Sequence, residues 1–408
     1  MPAPRTAIDS ASAWARLGLA TVLSTVGGVG MWSVVVVLPA VQAEFGVARG
    51  EASLPYTLTM VGFAFGGVLM GRLADRFGVM LPLLIGAGAL TAGYLAAAYA
   101  PSLWTFAIAQ GLLIGMLGSS ASFAPLLADI SHWFLRRRGI AVAICASGNY
   151  LAGALWPPVV QHFVASQGWR ATYIGIGLFC ALAMPPLAVA MRRRPPHEPL
   201  WAGGDPAGAG PNPVRLDLPP GVLQALLVVA GLACCVAMAM PQVHIVAYCA
   251  DLGYGVARGA EMLSLMLGFG IVSRVASGFV ADRIGGLSTL LLGSVLQGLA
   301  LLLYFLFDGL ASLYVISALF GLFQGGIVPS YAIIVREFFP ANEAGARVGL
   351  VIMATLFGMA LGGWGSGVIF DLTGSYRAAF ANGLLWNLLN VSIAVYLLQH
   401  RPPRLAVA

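Results

Sequence analysis

The chain has 408 residues, 59% of them hydrophobic and 9% charged. A soluble domain carries about 25% charged residues, so the composition excludes a soluble globule and requires a polytopic membrane protein. The net charge of +6 would suit nucleic acid, but the basic residues lie in short loops between apolar runs, which is the pattern of topology signals and excludes that partner.

The opening MPAPRTAIDSASAW does not read as a signal peptide. The apolar run after it is too long and ends in no small-residue cleavage site, so it reads as a first span. Spans are expected at 16–40, 53–72, 80–99, 103–128, 139–163 and 171–191, and then at 220–247, 259–281, 287–307, 311–335, 346–370 and 377–399. The expected fold is all-α, a bilayer-embedded protein of twelve transmembrane helices in two six-helix pseudo-repeat bundles. An even number of spans puts both termini on one side. All 21 basic residues are arginine; sixteen lie in loops on the terminal side and four (Arg49, Arg170, Arg258, Arg377) in the opposite loops. That bias predicts cytoplasmic termini and a multi-pass protein of the cell inner (cytoplasmic) membrane. The five cysteines fall in or beside apolar spans with no metal spacing, so no metal, disulfide or other cofactor is expected, and a monomer is.

Between the sixth and seventh spans, RRRPPHEPLWAGGDPAGAGPNPVRLDLPP is rich in Pro and Gly and reads as a solvated linker. The expected units are a bundle at 1–191, a linker at 192–219 and a bundle at 220–408. The bundles repeat. Gly71-Arg-Leu-Ala-Asp75-Arg76-Phe-Gly78 follows the second span and Gly278-Phe-Val-Ala-Asp282-Arg283-Ile-Gly285 the eighth, 207 residues later. Trp169-Arg170-Ala-Thr-Tyr173 and Tyr376-Arg377-Ala-Ala-Phe380 recur at the same offset. Two matches at one spacing indicate a duplicated six-helix unit.

The loop pattern G-x-x-x-D-R-x-G resembles the signature of the major facilitator superfamily, and the resemblance spans essentially the whole chain. It implies two bundles that rock about a site near the bilayer midplane, with Gly71, Asp75, Arg76, Gly278, Asp282 and Arg283 as gating residues. Gly71 and Gly278 would admit a close neighbouring helix, and Asp75 and Asp282 would face a positive helix N-terminus.

The apolar stretch from Met262 to Ala281 is interrupted by one charge, Arg274, eight residues before Asp282. At 1.5 Å per residue it lies about 12 Å inside the membrane. A guanidinium there costs from a few to more than ten kcal/mol unless an anion or water receives it. Arg274 is therefore the leading substrate-binding candidate, and the alternative is a packing arginine held inside the protein. Trp133-Phe134-Leu-Arg136-Arg137-Arg138-Gly139-Ile140-Ala141-Val-Ala143 resembles the fifth-span motif of the monocarboxylate transporter family, departing at Ala143, where that family has glycine. The first-span motif matches poorly. Arg274 stands where that family, and the bacterial oxalate/formate exchangers, place a carboxylate-binding arginine. The family's aspartate one turn earlier, implicated in proton coupling, is replaced by Gly270, and its first-span lysine has no counterpart. The exchanger's eleventh-span lysine is also missing, so one buried charge implies one carboxylate.

Further binding candidates are His244, which shares a helical face with Tyr248; Gln324 and Tyr331, which flank a kink expected at Pro329; and Asn149, Tyr150 and Trp364. His244 is also the candidate for proton coupling, since no span core holds an acid. The expected function is secondary active transport of a small organic monocarboxylate by alternating access, with protons or a counter-anion as the coupled species. The rivals are an exporter of drugs or other small molecules and a non-transporting carboxylate sensor. No nucleophile–base pair or phosphate-binding loop supports an enzyme.

Overall fold

A computed structural model of the chain describes residues 8–194 and 218–400; most of the expected linker, including Pro195 to Asp217, lies outside the described residues. Twelve helices among them are long and apolar enough to cross a bilayer: Ala11–Phe45, Arg49–Phe77, Met80–Ala98, Leu103–Trp133, Arg138–Gln167, Trp169–Ala190, Pro220–Asp251, Val256–Ile284, Gly286–Leu306, Leu310–Phe338, Glu343–Thr373 and Tyr376–Gln399. They are numbered here as spans one to twelve. No strand occurs among the described residues, as hydrocarbon demands: a helix satisfies its own backbone polar groups.

The architecture is two six-helix bundles with one pairing scheme. In the first bundle span one packs on span five, two on four and three on six; in the second, seven packs on eleven, eight on ten and nine on twelve. Small residues make the close approaches. Cβ atoms at Gly62 and Gly66 of span two would run into the carbonyls of Gly111 and Met116. Gly321 and Gly325 of span ten lie equally close to the carbonyls of Met266 and Gly270 in span eight. Between helices in lipid, such packing replaces the hydrophobic drive.

The duplicated loop motif also shows why it ends in glycine. Gly78 and Gly285 have φ of 85° and 84°, a region closed to most side chains, and each turns the chain sharply into the next span.

Three expectations change. The kink in span ten lies at Gly325–Gly326, where one helix ends and another begins at Ile327. Pro329 sits in the first turn of the new helix, where its missing N–H breaks no bond. Span four is irregular at the matching place, with wide π-type turns over Ala109–Gly118 and a tight turn over Ser119–Ser122; Gly118 and Gly325 again differ by 207 positions. Span four also runs on to Trp133 and so contains an acid, Asp129, which is buried. Arg16 holds it with two parallel bonds, Nε to Oδ2 at 2.7 Å and Nη2 to Oδ1 at 2.9 Å, while lying over the Trp133 ring. The amphipathic stem of Arg16 let it pass for a loop residue.

The close packing of span ten on span eight generates a stability prediction. Gly321→Ala forces a methyl group against the Met266 backbone, and overpacking of this kind costs ~1–3 kcal/mol. The purified variant should melt several degrees lower, whereas Gly365→Ala, which meets nothing within 4 Å, should melt as the parent does. Equal melting of both variants would show that the approach is slack.

Candidate functional site

The two bundles meet along two seams. In one, span five of the first bundle runs antiparallel to span eight of the second. Ser264 Oγ donates to the Ala154 carbonyl, the Leu267 side chain covers Gly153, Tyr150 lies against Gly270, and Arg274 Nη1 donates to the Ala146 carbonyl at 3.1 Å. Beyond Arg274 the seam parts. Cβ positions at Gly278 on span eight and Gly139 on span five meet nothing within 4 Å, and Val275, Ala276, Gly278 and Phe279 are exposed. Arg274 thus stands where the cleft between the bundles begins.

Its guanidinium is half used. Cζ lies 4.2 Å from the centroid of the Tyr150 ring, a cation–π arrangement. Nη1 is taken by Ala146. Nε is buried with no hydrogen-bond partner, and Arg274 forms no ion pair with any described residue. Nε and Nη2 are the edge with which Arg16 grips Asp129, so the free edge of Arg274 presents the donor pair a carboxylate takes in bidentate fashion. Gly270 makes this possible: a Cβ there would stand 2.5 Å from Tyr150 Cδ1. The sequence reading noted Gly270 only as a lost acid. Its value lies in the ring from another span, which no local pattern could reveal.

Of the other candidates, Tyr150 lies four residues beyond Ala146 and meets Arg274, while Asn149, three residues beyond, places its side-chain oxygen beside Gly28 of span one. Asn149 Oδ1 is buried without a hydrogen-bond partner among the described residues. Gln324 ends the first half of span ten; its Oε1 accepts from Gln242 Nε2 at 2.9 Å and its Nε2 is unbonded. Tyr331 is fully buried in the second bundle and donates to Asn390 Oδ1 at 3.0 Å. Trp364, 41% exposed, shares an outward stripe with Leu361. His244 is fully buried and separate from Arg274: Nε2 donates to the Gly363 carbonyl at 2.8 Å and Nδ1 accepts from the Tyr376 hydroxyl at 3.3 Å.

His244 belongs to the second seam, between spans two and eleven, at the end remote from the termini. Asp371 accepts from Arg49 N at 2.8 Å and Gly50 N at 2.6 Å, capping the start of span two with a charge from the other bundle. Arg49 Nη1 donates to the Tyr376 hydroxyl at 2.7 Å, and Nη2 pairs with Asp251 at 3.2 Å. Further in, Thr57 donates to the Ala360 carbonyl and Tyr56 covers Gly363. Sequence reading missed this cluster, because Arg49, Asp251 and Asp371 each look like a solvated loop charge.

On the terminal side the spans stand apart. Nothing lies within 4 Å of the Cβ positions of Gly71 and Gly278, so the close packing expected there is absent in this conformation. Asp75, Arg76, Asp282 and Arg283 are exposed, and neither aspartate bonds to a helix end. Two clefts elsewhere suit a carboxylate less well. One of about 450 Å³ between spans five and eight carries the acid Glu261. The other, about 670 Å³ between spans one, five and six, has no charged lining residue.

A family model described as Major Facilitator Superfamily matches residues 20–316 and 262–408. The chain is 30% identical over 319 residues to monocarboxylate transporter 13 of Bos taurus, covering 78% of this chain and 73% of that one. It is 26% identical over 351 residues to the uncharacterized MFS-type transporter YcxA of Bacillus subtilis, covering 83% of each. Among solved structures it resembles a bacterial homologue of the human lysosomal transporter Spinster in an inward-facing and occupied conformation, with a TM-score of 0.67 at 14% identity over 94% of both chains.

The Asp371 cap generates a prediction about the closed seam. Asp371→Asn removes the charge facing the span-two N-terminus, a loss of ~1 kcal/mol. A cysteine at Thr57, labelled by an impermeant maleimide from the remote side, should react roughly fivefold more in that background. The native cysteines among the described residues are all buried and give little background. Unchanged labelling would mean the cap contributes nothing to closure.

Proposed function

The chain belongs to the major facilitator superfamily, and on that premise we propose that it is a secondary active carrier of a small organic monocarboxylate. The two halves, 1–191 and 220–408, alternate access to a site at Arg274, with the termini in the cytoplasm on the evidence of the arginine bias. The observation that carries the reading is the free Nε/Nη2 edge of Arg274 at the point where the bundles part. One positive charge suits one carboxylate, and Tyr150 fixes the plane of the guanidinium. The likeness to monocarboxylate transporter 13 supports the same class. An exporter of cationic drugs would want a free intramembrane carboxylate. Asp129, the one acid buried among the described residues, is held by Arg16.

Entry of an anion against a negative interior is opposed by ~2.3 kcal/mol per charge per 100 mV, so uptake needs a proton or a counter-anion. Proton symport would draw on His244, whose partner Tyr376 accepts from Arg49 across the seam that must open. Exchange needs only a second anion at Arg274. In the same cycle, Asp75, Arg76, Asp282 and Arg283, with Gly71 and Gly278, would close the cytoplasmic side.

Binding of lactate, pyruvate and benzoate to purified protein tests the site. Arg274→Gln should abolish saturable binding of whichever of them the parent binds, while the protein still elutes as one species. Arg274→Lys keeps the charge but loses the fork, and should weaken binding about tenfold, the effect of ~1.5 kcal/mol for one charge-assisted bond. Saturable binding by a well-folded Gln variant would overturn the proposal; loss of folding would make Arg274 a packing residue.

A further inference from the structure

We propose that the groove between spans five and eight, on the half of the membrane remote from the termini, is a phospholipid site. One acyl chain of that leaflet lies in the groove, and an ethanolamine headgroup is held at its mouth by Glu261 and Arg258. The site is separate from Arg274, whose guanidinium is turned to Tyr150 and Ala146, and does not depend on what Arg274 binds.

The groove has a volume of about 450 Å³ and one wall from each bundle: Ala154 and Pro158 from span five, Leu265, Phe269 and Val272 from span eight. Gly268 keeps it open, since even a Cβ there would stand 3.9 Å from that of Ala154. Phe269 and Val272 are 40% and 55% exposed, so the groove faces sideways into the bilayer. Glu261 stands immediately before the apolar stretch that begins at Met262, which puts its carboxylate at the hydrocarbon boundary. From Glu261 to Val272 the helix rises ~16 Å, about half of a ~30 Å hydrocarbon core. The groove therefore spans one leaflet, the length of an acyl chain rooted at the interface.

The mouth carries the chemistry that selects a headgroup. Glu261 accepts from the Tyr314 hydroxyl and from Arg258 Nη1, the latter at 3.0 Å. The Glu261 and Arg258 side chains remain 43% and 53% exposed. A carboxylate has about four acceptor positions, so a further donor can join. Opposite charges side by side at the boundary match a zwitterionic headgroup, with its ammonium on Glu261 and its phosphate on Arg258. Ethanolamine brings N–H donors to the carboxylate. Choline brings charge without donors, and a glycerol headgroup brings no cation. The other membrane-facing cleft, between spans one, five and six, has no charged lining residue and no means of telling these lipids apart.

Because its walls belong to different bundles, the groove exists only while spans five and eight are closed at this level. A lipid that binds it favours that conformation over one in which the remote side is open.

Native mass spectrometry of the purified full-length protein, titrated with dioleoyl phosphatidylethanolamine, phosphatidylcholine or phosphatidylglycerol, tests the site. The ethanolamine lipid should bind saturably and about tenfold tighter than the other two, the effect of one charge-assisted hydrogen bond. Glu261→Gln should bring the three within about twofold of one another. Gly268→Leu fills the groove and should weaken the ethanolamine lipid roughly tenfold, as about two methylenes lose their wall. Gly175→Leu, in the other cleft, should keep the preference. In liposomes, a cysteine at Thr57 should react with impermeant maleimide from the remote side about threefold more slowly in phosphatidylethanolamine than in phosphatidylcholine, and Glu261→Gln should remove that difference. Equal binding of the three lipids by the parent overturns the proposal, as does a preference that survives Glu261→Gln or tight binding that survives Gly268→Leu. Equal labelling in the two liposomes overturns the claim that the lipid holds the seam closed.

Discussion

A guanidinium about 12 Å deep in a bilayer cannot be both dry and unpaired, and much of this structure is arranged around that constraint. Span eight carries the charge, span five supplies a carbonyl and a ring for it, and span ten breaks at two glycines to press against the helix from the other side. The bundles part immediately beyond the arginine, which is itself half-buried with Nε enclosed and unbonded. A second buried arginine, Arg16, shows the opposite solution, with a carboxylate built in. The contrast between a satisfied and an unsatisfied fork in one chain is what separates a structural arginine from a candidate ligand-binding one.

The two seams between the bundles are held by different chemistry. Spans five and eight meet through small residues, carbonyls and the Arg274 platform. Spans two and eleven meet remote from the termini through charge: Asp371 on a helix N-terminus, and Arg49 between Asp251 and Tyr376. Such contacts are strong where water is partly excluded and lose strength once it enters. His244 lies behind this seam with both ring nitrogens engaged. Its hydrogen bonds therefore tie it to the residues behind the seam and not to Arg274.

Duplication explains a further regularity. Gly78 and Gly285 turn the chain with the same positive φ, and the irregular turns of span four match the break of span ten at Gly118 and Gly325. Interrupted helices at matching places in two halves are a mark of carriers whose site lies between the repeats. Here the second interruption abuts Gly270, one turn from the arginine.

The twelve spans, the duplicated unit and the outlying charge at Arg274 were all legible in the amino-acid sequence, because each rests on a local quantity: apolar length, a repeated string, or one charged residue in a run of twenty. Tyr150 could be named as a candidate, but not joined to Arg274, since only the antiparallel register of spans five and eight brings them together. Gly270 read as an acid lost and is in fact a space filled, a distinction that requires the partner helix. Asp371, Arg49 and Asp251 read as loop charges because burial and pairing across 322 residues of chain, the separation between Arg49 and Asp371, leave no trace in local pattern. Local chemistry determines which segments enter the membrane; which side chains meet there is decided by helix pairing, a property of the whole chain.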